Sequence, residues 1–260
     1  MTRIRQPAVA GLFYPEAPAA LHALLVQMLD AAADGPAPKA VIAPHAGYVY
    51  SGPVAASAYA RLRDATGHIR RVVLLGPSHR VGFRGLAASS AEAFVTPLGS
   101  VAIDGEAVRE ALALPQVQTL DEAHATEHSL EVHLPFLQEV LGEFSLVPLV
   151  VGEASPEEVA QVLDLLWGGA ETLIVVSSDL SHYHDYGTAR DLDARTSRAI
   201  EEGRLQDIHY EDACGRNPIS GLLYAARQHG LHGRTIDLRS SGDTAGPRDQ
   251  VVGYGSYVFE

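Results

Sequence analysis

Residues 171–186, ETLIVVSSDLSHYHDY, join an apolar run to a dense polar one. The first half is a continuous Leu/Ile/Val run with no polar alternation. A strand with one wet face would break that run every second residue, so it reads as a strand buried on both faces, lying between two helix layers. The polar half then sits past the carboxyl end of the strand, where α/β sheets bind their ligands.

Working outward, KAVIAP (39–44), RRVVLLGP (70–77) and FSLVPLVVG (144–152) have the same character. The segments between them, GPVAASAYARL (52–62), EHSLEVHLPFLQEVLG (127–142) and SPEEVAQVLDLLWGG (155–169), read as helices. The last carries Ser155 as N-cap, Pro156 at the first helical position and Glu158 to complete a capping box. Gly168 and Gly169 stop it. Residues 83–104 read as an inserted hairpin around Pro97 and Gly99. Two more helices, near 188–203 and 218–230, precede the closing strands RTIDLRSS and VVGYGSYVFE. The expected fold is α/β: a single domain over 1–260 with a central, mostly parallel sheet flanked by helices on both faces.

Composition narrows the function. Hydrophobic residues make up 47% of the chain and charged residues 20%, a balance for folding rather than disorder. A net charge of −13, spread along the chain, opposes phosphate backbones and anionic lipid, so neither nucleic acid nor membrane is an expected partner. No apolar run approaches the ~20 residues needed to cross a bilayer. MTRIRQPAVAGLFYPE lacks the apolar core of a signal peptide, and the one cysteine, Cys214, forms no internal disulfide. A cytoplasmic location is expected.

The twelve histidines are the compositional oddity. His45 follows the first core strand and His79 the second. Asp179 ends the fourth, with His182 three residues on. A parallel sheet gathers His45, His79 and His182 at one edge, where antiparallel strands would scatter them. In DEAHATEHSLEVHLPF (121–136), a helix from residue 124 would align His124, Glu127, His128 and Glu131 on one stripe. Of these, His128 and Glu131 are the site candidates, whereas Leu130, Leu134 and Leu137 face the core. Pro135 argues for a kink or a late start, and Glu127 also suits a helix N-terminus. Asp243, in the polar turn RSSGDTAGPRD (239–249), is placed to add a carboxylate.

Two imidazoles and a carboxylate with open positions form the facial set of non-haem Fe(II) enzymes, and they also suit Mn(II) or Zn(II). HExxH, GxSxG, Walker A and GxGxxG patterns are all absent, which leaves zincin, serine-hydrolase and nucleotide chemistry without support. Cys214, in EDACGRNPIS, reads as a small packing residue.

AGLFYP, APHAGYVYSG, LGPSH, EHSLEVHLPF, SSDLSHYHDY and VVGYGSY together resemble, in order and over essentially the full chain, the MEMO family, also named AmmeMemoRadiSam system protein B. That resemblance implies a fold like the class III extradiol dioxygenases, which hold Fe(II) with two histidines and a glutamate. It carries His45 and His79 onto the two histidine ligands and places Asp179 and His182 in the pocket, with His182 as acid/base. His128 and His133 border the same cleft. Animal members place a cysteine near the loop SGDTAG; here Asp243 is the substitute and third ligand. The implied activity is redox or oxygen-dependent chemistry on an unknown small molecule, with Fe(II) ahead of Cu, Zn or Mn. His45, His79 and Asp243 would bind metal, and His182, Asp179 and His128 would act in catalysis. AMMECR-type and radical SAM proteins are implied partners. The alternatives are a non-catalytic peptide- or partner-binding module and a metal-dependent hydrolase.

Overall fold

A computed structural model describes residues 3–260. The amino-terminal half runs β1 (Ile4–Arg5), α1 (Pro18–Asp30), β2 (Ala40–Ala43), α2 (Tyr48–Tyr59) and β3 (Arg71–Pro77). Then come β4 (Leu86–Ala88), β5 (Ala93–Thr96), β6 (Gly99–Ile103), α3 (Gly105–Ala111), β7 (Val117–Thr119) and α4 (Glu122–Ala125). The middle holds α5 (Leu134–Leu141), β8 (Ser145–Val151), α6 (Pro156–Leu166) and β9 (Thr172–Ser177). The chain closes through β10 (His182–His184), α7 (Tyr186–Glu201), α8 (Arg216–Gln228), β11 (Gly233–Ser240) and β12 (Val251–Phe259).

The four continuous apolar runs are the centre of the sheet, in the order β8-β3-β9-β2, and every pairing among them is parallel. Alternate side chains of each strand enter opposite cores. Val41, Val72 and Val175 meet α1, α2 and α5 on one face; Ile42, Val73 and Val176 meet α3, α6 and α8 on the other. Burial on both sides is why these strands lack the alternation of a half-exposed sheet. β12 joins β2 antiparallel and β11 pairs with β12, so the sheet is mixed but mostly parallel at its centre. The Ser155 capping box starts α6 as the sequence indicates. The hairpin is β5–β6, narrower than 83–104, and β4 pairs instead with β7 and β8.

The segment 127–142 departs from a single helix. α5 begins only at Leu134, with Pro135 in its first turn, where a missing N–H costs nothing. Before it the chain turns, because the Glu127 carboxylate captures the amides of His128 and Ser129. The helical stripe His124–Glu127–His128–Glu131 therefore does not form. No helix among the described residues is long and apolar enough to cross a membrane.

Candidate metal centre

Strand register builds the site. Ala43 pairs with Ser177, so the residues two further on, His45 and Asp179, arrive level with each other. The His45 amide donates to Asp179 Oδ1 at 2.8 Å. β3 lies on the other side of β9, with Leu75 beside Val176, and delivers His79 to the same edge. The turn after α4 brings in His128. One ring nitrogen from each of His45, His79 and His128 lies within 4.8 Å of the others. Ring centroids are 5.1 Å apart for His45–His79, 5.4 Å for His45–His128 and 4.7 Å for His79–His128. His45 is buried, and the group opens to solvent at His79.

The outer hydrogen bonds fix which nitrogen is free. Ser177 Oγ donates to Ser129 O at 2.6 Å, so it accepts from His45 Nδ1, also 2.6 Å away. His45 is thereby held as the Nδ1–H tautomer with its Nε2 lone pair available. Glu127 does the same for His79: Oε1 accepts from Nδ1 at 2.9 Å, and Oε2 accepts from the His79 amide at 2.7 Å. Hydrogen bonds from His79 hold the Glu127 carboxyl down at about 2 against the opposing effect of burial, so it is ionised. His128 Nδ1 is 3.3 Å from the same oxygen. Burial pushes His45 well below the usual histidine range and His128 down to about 4, which leaves both imidazoles neutral. Neutral rings with one nitrogen anchored by a carboxylate or hydroxyl are the usual state of metal-binding histidines.

Cys214 lies far upstream of the SGDTAG loop in sequence but adjoins the site in space. Its Sγ is 3.3 Å from His45 Nε2 and accepts from the Asp179 amide at 3.3 Å. Gly215 permits this approach, since a Cβ there would fall 2.5 Å from Ser177 O and Ser178 Cβ. Burial pushes the thiol pKa far up, so without a cation it stays protonated, with Asp179 O at 3.6 Å and His45 Nε2 at 3.3 Å as the acceptors in reach.

The other expected residues divide. Asp179 is buried at 5% exposure, and burial pushes its carboxyl up to about 7. It faces His45, with Oδ2 3.9 Å from Nε2, rather than orienting His182 as expected. His182, on β10 beside β12, has its pKa lowered by burial and by the charges of His79 and His184, and it is not one of the three grouped histidines. Asp243 does not join the histidines. It accepts from the Ser240 amide at 2.9 Å and Tyr186 Oη at 2.6 Å, and Arg248 lies 3.7 Å away. Asp243, expected as the third metal ligand, is thus held by Ser240 and Tyr186 and is not among the residues that the structure brings together with the histidines.

Glu131 and His133 are also structural. Glu131 is fully buried and takes Arg5, the amides of Ala8 and Val9, and Tyr14 Oη. His133 Nδ1 pairs with Tyr59 Oη at 2.6 Å. Sequence reading missed Glu127 as the residue that orients the site and Cys214 as its neighbour. The carboxylate between two histidines in TEHSLEVH was a usable signal for the first; a lone cysteine offers none for the second.

The profile of the Memo-like protein family matches residues 5–258. A MEMO1 family protein of Aquifex aeolicus is 36% identical, with 99% of both chains covered. One from Aeropyrum pernix is 38% identical over 97% of this chain and 98% of its own. Among solved structures, an uncharacterized Escherichia coli K12 protein superposes with a TM-score of 0.53 at 14% identity, over 84% of this chain and 98% of that one. The latter likeness is one of fold.

Proposed function

The chain belongs to the MEMO family, and from that premise we propose that it is a mononuclear metal protein, with Fe(II) the metal, performing redox or oxygen-dependent chemistry on a small molecule. The observation that carries this reading is the group His45, His79 and His128, neutral or anchored through the outer nitrogen, with donor atoms within 4.8 Å of each other. These residues would hold the ion, with the Cys214 thiol as a further donor beside His45. A thiol among imidazoles suits a transition metal rather than Mg(II) or Ca(II). Bound there, such an ion supplies a Lewis-acidic, redox-active centre with positions left for a small ligand.

The protein's own contribution is orientation and proton handling. Glu127 and Ser177 fix the tautomers of His79 and His45. Asp179 and His182 are the groups that hold and deliver protons beside the histidines. The experiment is metal analysis of untagged protein. Wild type should hold one equivalent of iron, and the double variant His45→Ala/His79→Ala should hold none. Full metal content in that variant would sink the proposal.

A further inference from the structure

α7 carries Tyr186, Arg190, Asp193 and Ala194 at the spacing i, i+4, i+7 and i+8, which places them on one stripe of the helix. That stripe faces the end of β11 that holds Leu238 and Arg239. Between them lies a cleft of about 430 Å³, within the size range of small-ligand sites. None of His45, His79 and His128 lines it, so it stands apart from the metal centre.

Most charges in the cleft are already matched. Asp243 accepts from Tyr186 Oη at 2.6 Å and from the Ser240 amide at 2.9 Å, with Arg248 3.7 Å away. Arg239 donates from Nε to Asp237 Oδ1 at 2.9 Å and from Nη2 to Oδ2, which leaves its Nη1 free. Two groups remain. Arg190 is exposed and has no hydrogen-bond or carboxylate partner among the described residues; its guanidinium carbon lies 5.6 Å from the centroid of the Tyr186 ring. Asp193 is only 3% exposed, and its one hydrogen bond comes from the Ser181 amide to Oδ1 at 3.0 Å. The Ser181 hydroxyl is buried without a partner, so it does not serve Oδ2. Gly253 presses on that oxygen from the sheet, where a Cβ would fall 2.0 Å from it. A buried acceptor without a donor is costly and rare, and here the chain supplies none.

We propose that this cleft is a second ligand site, which takes a zwitterionic α-amino acid with an apolar side chain. The carboxylate would meet Arg190 and Arg239 Nη1, the ammonium Asp193 Oδ2, and the side chain Ala194 and Leu238. Leu238 is 37% exposed, an apolar wall with nothing over it. A plain anion would face Asp193 and the net charge of −13, and a plain cation would face two guanidiniums. A zwitterion answers both. Because Asp193 also holds the Ser181 amide, the ligand would share this carboxylate with the loop that carries Asp179 and His182.

Three matched probes test this: L-leucine, 4-methylpentanoate, which lacks the ammonium, and 3-methylbutylamine, which lacks the carboxylate. Each is titrated at neutral pH into full-length protein carrying isotope-labelled arginine, and the Nε–H signals are followed by NMR. Arg190→Met and Arg239→Met assign the two signals by removing one each. Leucine should shift both saturably, and each half-molecule should bind about ten-fold more weakly, the value of one charged hydrogen bond. Arg190→Met, at an exposed position, should keep the fold and weaken leucine about ten-fold, read at Arg239. Asp193→Asn keeps an acceptor for the Ser181 amide and should erase the preference for leucine over 4-methylpentanoate. No saturable shift with leucine, equal binding of either half-molecule to wild type, or full leucine affinity in Arg190→Met overturns the site.

Discussion

Replacing Glu127 by Gln tests whether the outer carboxylate sets the metal affinity. Glu127 accepts from the His79 amide at 2.7 Å and from His79 Nδ1, the His128 amide and the Ser129 amide, each at 2.9 Å. A glutamine carbonyl in the Oε1 position keeps three of these bonds. Its NH2 then confronts the His79 N–H where Oε2 had accepted, so one bond is lost and three lose their ionic component. Charged acceptors contribute roughly 1.5–3 kcal/mol per bond against about 1 for neutral ones, so the folded state should lose about 3 kcal/mol or more. The metal effect is separate. His79 keeps an acceptor at Nδ1 but loses the carboxylate charge that raises its basicity, and disturbing such a partner typically costs about 10–100-fold in affinity.

The assay is anaerobic Fe(II) competition against a chromophoric chelator, with urea denaturation run in parallel. Glu131→Gln is the control. It perturbs a buried carboxylate in the same segment, with its own bonds to Arg5, Val9 and Tyr14, but no bond to a site histidine. It should cost similar stability and change Fe(II) affinity less than about three-fold. If both variants lose stability and neither loses affinity, Glu127 is a structural residue and the reasoning fails.

Two further outcomes follow from the same contacts. Gly215→Ala pushes a Cβ against Ser177 O and Ser178, which should cost about 1–3 kcal/mol and move Cys214 off His45, readable as lower stability with weakened metal binding. His124 is buried, with Nε2 on Ala87 O at 2.9 Å, and burial lowers its pKa from 6.5 to about 4. The unfolded chain therefore takes up the proton first. Its contribution is complete above about pH 6.5, falls as the pH drops and levels off below about pH 4, a total of about 3 kcal/mol. His124→Gln should flatten that part of the stability–pH curve; an unchanged slope refutes the assignment.

By itself the sequence determined the sheet. The four continuous Val/Ile/Leu runs can satisfy burial on two faces only between helix layers, so their parallel packing was legible, and with it the shared edge for His45 and His79. The capping box of α6 was legible for a similar reason, since its bonds lie within four residues. The composition of the site was not. Asp243 and Cys214 are both plausible donors in one dimension. Which one reaches the histidines depends on the folded chain: Asp243 is held by Ser240 and Tyr186, while Gly215 packs against Ser177 and lets its neighbour Cys214 reach Asp179 and His45. Likewise, His128 enters through a turn that Glu127 forces by bonding the His128 and Ser129 amides, where local periodicity favoured a helix. Hydrophobic patterning is written residue by residue, but the direction of a polar side chain is settled by whichever donors the folded chain brings to it.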